Sequence, residues 1–151
     1  MLMAREMMTK NPDCCLPDES LAEVIEVMQQ DDCGIVPIIK DADSLQLVGV
    51  VTDRDIALYL GKHDQKPSDV RAADVMTTEL VTAEPDDTLD MLMDCMAREQ
   101  VRRIMIVEEG DLLVGVVSQA DLALHTREEQ DEIKVERTIE KISEPTAGAR
   151  R

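Results

Sequence analysis

Apolar residues recur along this 151-residue chain in two spacings, one helical and one extended, and the same succession occurs twice. Leu21, Val24, Ile25 and Met28 stand at i, i+3, i+4 and i+7, which places them on one face of a helix. Ser20-Leu21-Ala22-Glu23 is a capping box at its start, able to satisfy amides that the first turn leaves unpaired. Ile35-Val36-Pro37-Ile38-Ile39 and the run 45–51 follow, two short apolar segments joined by the polar turn 40–44, as in a hairpin. The pattern is helical again over 53–60.

The second succession has a helix opening at Thr88 and carrying Leu89, Leu92, Met93 and Met96. Ile104-Met105-Ile106-Val107 and the run 112–117 then flank Glu108-Glu109-Gly110-Asp111, and 119–125 reads as helix. Met8-Thr9 recurs as Met76-Thr77, Pro17 as Pro85, Ser20-Leu21 as Thr88-Leu89 and Met28 as Met96, each 68 positions later. Gly49-Val50-Val51-Thr52 recurs as Gly115-Val116-Val117-Ser118 and Asp55 as Asp121, now 66 positions later, so the second copy has lost two residues in a turn. Such a repeat decides the architecture.

The polar stretch 61–68 holds Gly61 and Pro67, so the boundary falls there. The chain divides into a first copy at 1–61, a linker at 62–68, a second copy at 69–126 and a C-terminal helix and tail at 127–151. In that last segment Val135, Ile139 and Ile142 share a face before Pro145 ends any helix. Such a helix is expected to cap its own protomer, the alternative being a dimer contact. A unit of about 60 residues buries too little apolar surface alone. The expected fold is therefore α+β, two tandem βαββα units packed sheet to sheet with pseudo-twofold symmetry and two similar clefts.

Composition narrows the partners. With no Trp, no Phe, Tyr59 alone and ten Met, the core must be aliphatic and no aromatic platform for nucleic-acid bases exists. The formal charge of −17 argues against DNA and RNA, whose counterions an acidic surface does not release. The start has no signal-peptide stretch, and no apolar run approaches the roughly 20 residues that span a bilayer, so a soluble cytoplasmic protein is expected. Cys14, Cys15, Cys33 and Cys95 show no CxxC spacing and read as small buried hydrophobes. His63 and His125 lie at no metal-ligand spacing, and neither a nucleophile constellation nor a glycine-rich phosphate loop occurs. Neither metal binding nor enzymatic activity is expected.

Gly-Val-Val-Thr/Ser-x-x-Asp appears twice where a strand gives way to a helix. A hydroxyl there, together with first-turn amides, can hydrogen-bond a phosphate. The carboxylate three residues on can accept from ribose hydroxyls. The plainer alternative is that Thr52 and Ser118 are helix N-caps and that Asp55 and Asp121 complement the helix dipole. Only the first motif carries an extra acid, Asp53.

These residues resemble the cystathionine-β-synthase (CBS) domain family over nearly all of the chain. The resemblance rests on Glu6-Met7-Met8-Thr9 and Val75-Met76-Thr77 opening the copies, and on Gly34-Ile35-Val36-Pro37-Ile38 and Val101-Arg102-Arg103-Ile104 on the first strands. Gly49-Val50-Val51-Thr52-Asp53-Arg54-Asp55-Ile56 completes it. It implies a Bateman module that binds AMP, ADP, ATP or S-adenosylmethionine and pairs as a homodimer through CBS discs. Carried over, one cleft combines Thr52 and Asp55 with Thr77, Thr82 and Val101, and the other combines Ser118 and Asp121 with Thr9, Cys14 and Cys33. Cys14 and Cys33 stand where the first cleft offers Thr82 and Val101. Arg54 lies inside the first motif and Arg102 and Arg103 on the copy expected to face it, so the Thr52 cleft is expected to bind tighter, with Arg54 or Arg102 as phosphate partner. The expected function is a regulatory module acting in trans on a separate effector protein. The alternatives are a structural dimerisation module with empty clefts and a thiol or metal sensor using Cys14, Cys15 and Cys33.

Overall fold

The computed structural model describes residues 2–125 and 129–144, the side chains of 129–133 excepted. In chain order its elements are α1 (Ala4–Met7), β1 (Thr9–Lys10), α2 (Leu21–Asp31), β2 (Ile35–Ile39), β3 (Leu47–Thr52), α3 (Asp53–Lys62), α4 (Ala72–Val75), β4 (Thr82–Ala83), α5 (Leu89–Glu99), β5 (Arg103–Glu108), β6 (Leu112–Ser118), α6 (Gln119–His125) and α7 (Glu129–Ser143). A 3-10 turn at Pro67–Asp69 precedes α4.

The chain folds as two compact units, one made of Pro12–Leu80 with Glu109–Leu113, the other of Met1–Asn11, Val81–Glu108 and Val114–Arg151. We refer to these as the first and the second unit. Each contains the body of one copy and the opening segment of the other. In the second unit Thr9 and Lys10 pair antiparallel with Val116 and Gly115, completing a sheet of order β1-β6-β5-β4, with β4 parallel to β5. In the first unit β2 and β3 pair antiparallel, Cys15 bridges Ile38 in parallel, and Thr77 bridges Val50 antiparallel. The two arrangements match position for position. Ala4 N–H donates to the Asp87 carbonyl in one unit and Ala72 N–H to the Glu19 carbonyl in the other, both at 2.8 Å.

The helices form where capping and period predict them. Ser20 Oγ accepts from Glu23 N–H at 3.3 Å while Ser20 N–H donates to Glu23 Oε2 at 2.8 Å, the reciprocal box that opens α2. Thr88 Oγ1 accepts from Met91 N–H at the start of α5. Both helices end on a left-handed residue, Asp32 (φ 49°) and Gln100 (φ 57°), which turns the chain into the next strand. Their apolar faces build the two cores. Leu21, Val24 and Met28 pack with Val36, Ile38, Val51 and Ile56 in the first unit; Leu89, Leu92, Met93 and Met96 pack with Ile104, Ile106, Val117 and Leu122 in the second.

Three local differences from the sequence pattern have physical reasons. The four-residue helices α1 and α4 are too short to show a period. The first hairpin resumes at Leu47 rather than 45, because Leu45 is left-handed (φ 55°) and Lys40 N–H closes the turn on the Gln46 carbonyl at 2.8 Å. Asp41 Oδ1 organises that turn by accepting from Ser44 N–H at 2.7 Å and Asp43 N–H at 3.1 Å, and the Ser44 amide is the main reason its carboxyl lies below the usual range. Finally, α3 continues past 60 to Lys62, so the helix takes in the first residues of the polar stretch.

The C-terminal helix α7 docks on α5 within the second unit, burying Val135 and Ile142 with Ile139 beside them. Gln100 Nε2 donates to the Lys141 carbonyl at 2.9 Å and Lys134 Nζ reaches Asp90 at 3.2 Å. It caps its own protomer. Residues 126–128 and the tail beyond 144 lie outside the described residues.

Candidate functional site: two strand-to-helix motifs

The two Gly-Val-Val-Thr/Ser-x-x-Asp motifs adopt one geometry. Thr52 ends β3 with its side chain accepting from Asp55 N–H at 3.0 Å, and Thr52 N–H donates to Asp55 Oδ2 at 3.2 Å. Ser118 and Asp121 repeat this at 3.1 Å and 2.7 Å. Both hydroxyls are therefore N-caps, and each still has its own proton to donate. Each aspartate commits one oxygen to the cap. Among the described residues the other, Oδ1, has no hydrogen-bond partner.

The opening threonines sit beside these caps. Val50 N–H donates to the Thr77 carbonyl at 3.0 Å and Thr77 N–H to the Val50 carbonyl at 2.9 Å, which holds Thr77 next to the strand that ends in Thr52. Thr9 holds the same place against Val116, two residues before Ser118. The glycines explain why the chain can approach so closely. A methyl carbon built on Gly49 would lie 2.7 Å from Met76 Sδ, and one built on Gly115 would lie 2.8 Å from Met8 Cγ and 3.0 Å from the Thr9 carbonyl oxygen. Each glycine is the floor on which the methionine of the opening segment rests.

The structure thus brings Thr52, Asp55 and Thr77 together in the first unit and Ser118, Asp121 and Thr9 together in the second. Of the remaining candidates, Arg54, Cys14 and Cys33 belong to the first unit and Thr82, Val101 and Arg102 to the second. Arg102 stands beside the second motif, its carbonyl accepting from Gln119 N–H at 3.0 Å, whereas Gly34 plays that part for Asp53 in the first. Arg54 and Arg102 are both exposed.

The cysteines are free thiols. Burial, reinforced by Asp13, pushes the Cys14 thiol up to about 11, and burial with the neighbouring Glu19 pushes Cys15 up to about 12. Their sulfurs are held protonated, the opposite of what a reactive thiol needs. Cys14 Sγ lies 3.1 Å from the Pro12 carbonyl and Cys33 Sγ 3.3 Å from that of Ile35. Among the described residues no three His, Cys, Asp or Glu side chains group as metal ligands, and no helix is long and apolar enough to cross a membrane.

Sequence reasoning missed one participant in this geometry. Asp53 folds its carboxylate back over Gly34 and accepts from Arg54 N–H at 2.8 Å, a placement that its identity as an extra acid does not reveal.

Comparison with known proteins places the chain. The sequence model described as "CBS domain" matches residues 4–62 and again 72–127. The chain is 34% identical over 128 residues to the CBS domain-containing protein YhcV of Bacillus subtilis, covering 83% of this chain and 86% of that one. It is 30% identical over 128 residues to hypoxic response protein 1 of Mycobacterium tuberculosis, covering 85% and 87%. A crystal structure of Hypoxic Response Protein I, with two coordinated zinc ions, superposes with a TM-score of 0.74 at 28% identity over 83% of this chain and all of that one. The CBS domain pair of protein MJ0100, solved with 5′-methylthioadenosine and S-adenosyl-L-methionine, superposes with a TM-score of 0.71 at 22% identity, covering 82% and 94%. This chain, with its two matches and its twice-built cap, belongs to the CBS domain family and carries a tandem CBS pair.

Proposed function

We propose that this CBS pair is a ligand-sensing module that binds an adenosine-bearing small molecule, an adenine nucleotide or S-adenosylmethionine, at its strand-to-helix motifs. The Thr52–Asp55 motif is the leading site and the Ser118–Asp121 motif the second. The carrying observation is the cap itself: a hydroxyl that keeps a proton to donate, three residues before a carboxylate with one oxygen uncommitted among the described residues. An uncommitted carboxylate oxygen beside a strand end suits a ribose hydroxyl, as in other nucleotide-binding folds. The two ligands solved with the MJ0100 pair have the adenosine moiety in common.

In this reading the module relays ligand binding in trans to a separate effector protein. Ligand binding regulates only through a difference in affinity between two states, and homodimerisation of the pair supplies a second arrangement for the ligand to select.

Thermal unfolding with AMP, ADP, ATP, 5′-methylthioadenosine and S-adenosylmethionine tests the reading. A ligand at 100 times its dissociation constant adds about 2.7 kcal/mol of stability. At least one compound should raise the wild-type midpoint and leave an Asp55→Ala/Asp121→Ala double variant unmoved. If none does, a purely structural dimerisation role replaces this reading. A rise with zinc alone would favour metal sensing.

A further inference from the structure

We infer that the Thr52–Asp55 motif selects adenosine compounds whose 5′ substituent is uncharged or cationic, such as a thioether or sulfonium, and discriminates against 5′-phosphates, with Asp53 as the specificity-determining residue. The inference rests on the adenosine reading above and narrows it. A phosphate held at a helix start needs amides free to donate and little competing negative charge. The head of α3 offers neither. Asp53 N–H is given to the Gly34 carbonyl at 3.0 Å, Arg54 N–H to Asp53 Oδ1 at 2.8 Å, and Asp55 N–H to Thr52 Oγ1 at 3.0 Å. The Asp53 carboxylate thus takes the part that a bound anion would play.

Its seat is built for it. A methyl carbon on Gly34 would lie 3.0 Å from Asp53 Oδ2 and 3.3 Å from its carboxyl carbon, so the glycine gives this exposed carboxylate room to lie close over the strand without shifting. Arg54 is the one cation within the motif, and it stands in the chain between two carboxylates, Asp53 and Asp55.

The second copy shows that the fold does not require this acid. The same backbone bond is made there, from Gln119 N–H to the Arg102 carbonyl at 3.0 Å. Arg102 replaces Gly34 and Gln119 replaces Asp53. Gln119 Oε1 is buried without a hydrogen-bond partner among the described residues, so it does not cap the Ala120 amide as Asp53 caps that of Arg54. Glycine with a carboxylate in one copy becomes arginine with a neutral amide in the other. That paired exchange changes charge next to the cap while leaving the backbone alone, as a specificity determinant would.

The test uses the full chain carrying Asp121→Ala, which removes the second motif's carboxylate, titrated calorimetrically with adenosine, 5′-methylthioadenosine and AMP. A carboxylate a few ångströms from a phosphate in partly solvated surroundings should favour 5′-methylthioadenosine over AMP by about tenfold or more. Asp53→Asn keeps an acceptor for the Arg54 amide and the size that fits over Gly34. It should raise affinity for AMP relative to 5′-methylthioadenosine about tenfold, whereas Asp53→Glu should preserve the parent's preference. AMP binding as tightly as 5′-methylthioadenosine in the parent, or an unchanged ratio in Asp53→Asn, overturns the inference while the adenosine reading stands. Failure of all three compounds to bind overturns both.

Discussion

Gly115→Ala probes how the opening segment of the first copy is seated. Two effects oppose each other. Alanine restricts the unfolded chain and suits a strand better, a gain of about 0.5–1 kcal/mol. Against that, its β-carbon would lie 2.8 Å from Met8 Cγ and 3.0 Å from the Thr9 carbonyl oxygen, contacts that real β-carbons do not tolerate without a shift. Met8 can bend away, but the Thr9 carbonyl is part of the β1–β6 pairing and moves only with the strand. Overpacking of this kind costs about 1–3 kcal/mol, so a net loss of about 1–2 kcal/mol is expected. For a chain of this length each kcal/mol lowers the melting temperature by about 2–4 °C. Gly49→Ala should cost less, because its close contacts are all with the Met76 side chain, at 2.7 Å from Sδ and 3.0 Å from Cγ. Urea denaturation and thermal melts of both variants measure the difference. A Gly115→Ala protein more stable than wild type, or less affected than Gly49→Ala, would refute the close-packing argument.

Further outcomes follow from burial. Ile142→Ala removes a buried side chain by which α7 holds to α5 and should destabilise the protein by about 2 kcal/mol or more in urea titrations, whereas a neutral result would mean that α7 does not dock. Cys14 and Cys15, held protonated in the fold, should react slowly with thiol reagents at neutral pH and at ordinary rates once urea is added. Their raised values also set a sign for alkaline stability. Below the ordinary value of 9.0 both folded and unfolded thiols are protonated and contribute no pH dependence. Between that value and about 11 to 12 the unfolded chain gives up protons that the folded one keeps, so stability should fall as pH rises. The fall should be smaller in a Cys15→Ala variant; an equal fall would assign it to other groups.

Much of this architecture was legible in the residues because local rules wrote it. Ser20 and Glu23 cap α2 as their spacing requires, and the i, i+3, i+4, i+7 residues of α2 and α5 line the two cores. The repeat also paired Thr52 with Asp55 and Ser118 with Asp121 as one motif in two copies. What no local rule wrote is non-local register, for which only the family resemblance put Thr77 with Thr52 and Thr9 with Ser118. That Thr77 would bridge Val50 and Thr9 would pair with Val116, so that each unit is finished by the other copy's opening segment, follows from no local period. The signal was present in Gly49 and Gly115, two strand glycines whose purpose appears only once Met76 and Met8 are laid across them. Arg102 joins Thr52 in the sequence reading because it lies on the copy expected to face that motif; within its own unit its carbonyl accepts from Gln119 N–H beside the Ser118 motif. Asp53 counted in the sequence as a surplus acid, and only the fold over Gly34 gives it a role.

The central claim, that the strand-to-helix cap of this CBS pair is a ligand site and not merely a helix start, is tested most directly by calorimetric titration of 5′-methylthioadenosine into the Asp121→Ala chain with and without Asp55→Ala. Asp55→Ala removes the reciprocal bond to Thr52 N–H, which should cost only about 1 kcal/mol of stability and leave the protein folded. It also removes the carboxylate oxygen that the proposed function assigns to a ribose hydroxyl. The account predicts measurable binding to the Asp121→Ala chain and affinity for the folded double variant reduced at least about tenfold, the loss of one charged hydrogen bond. Equal affinity in the two proteins would contradict it and leave Asp55 as a cap alone.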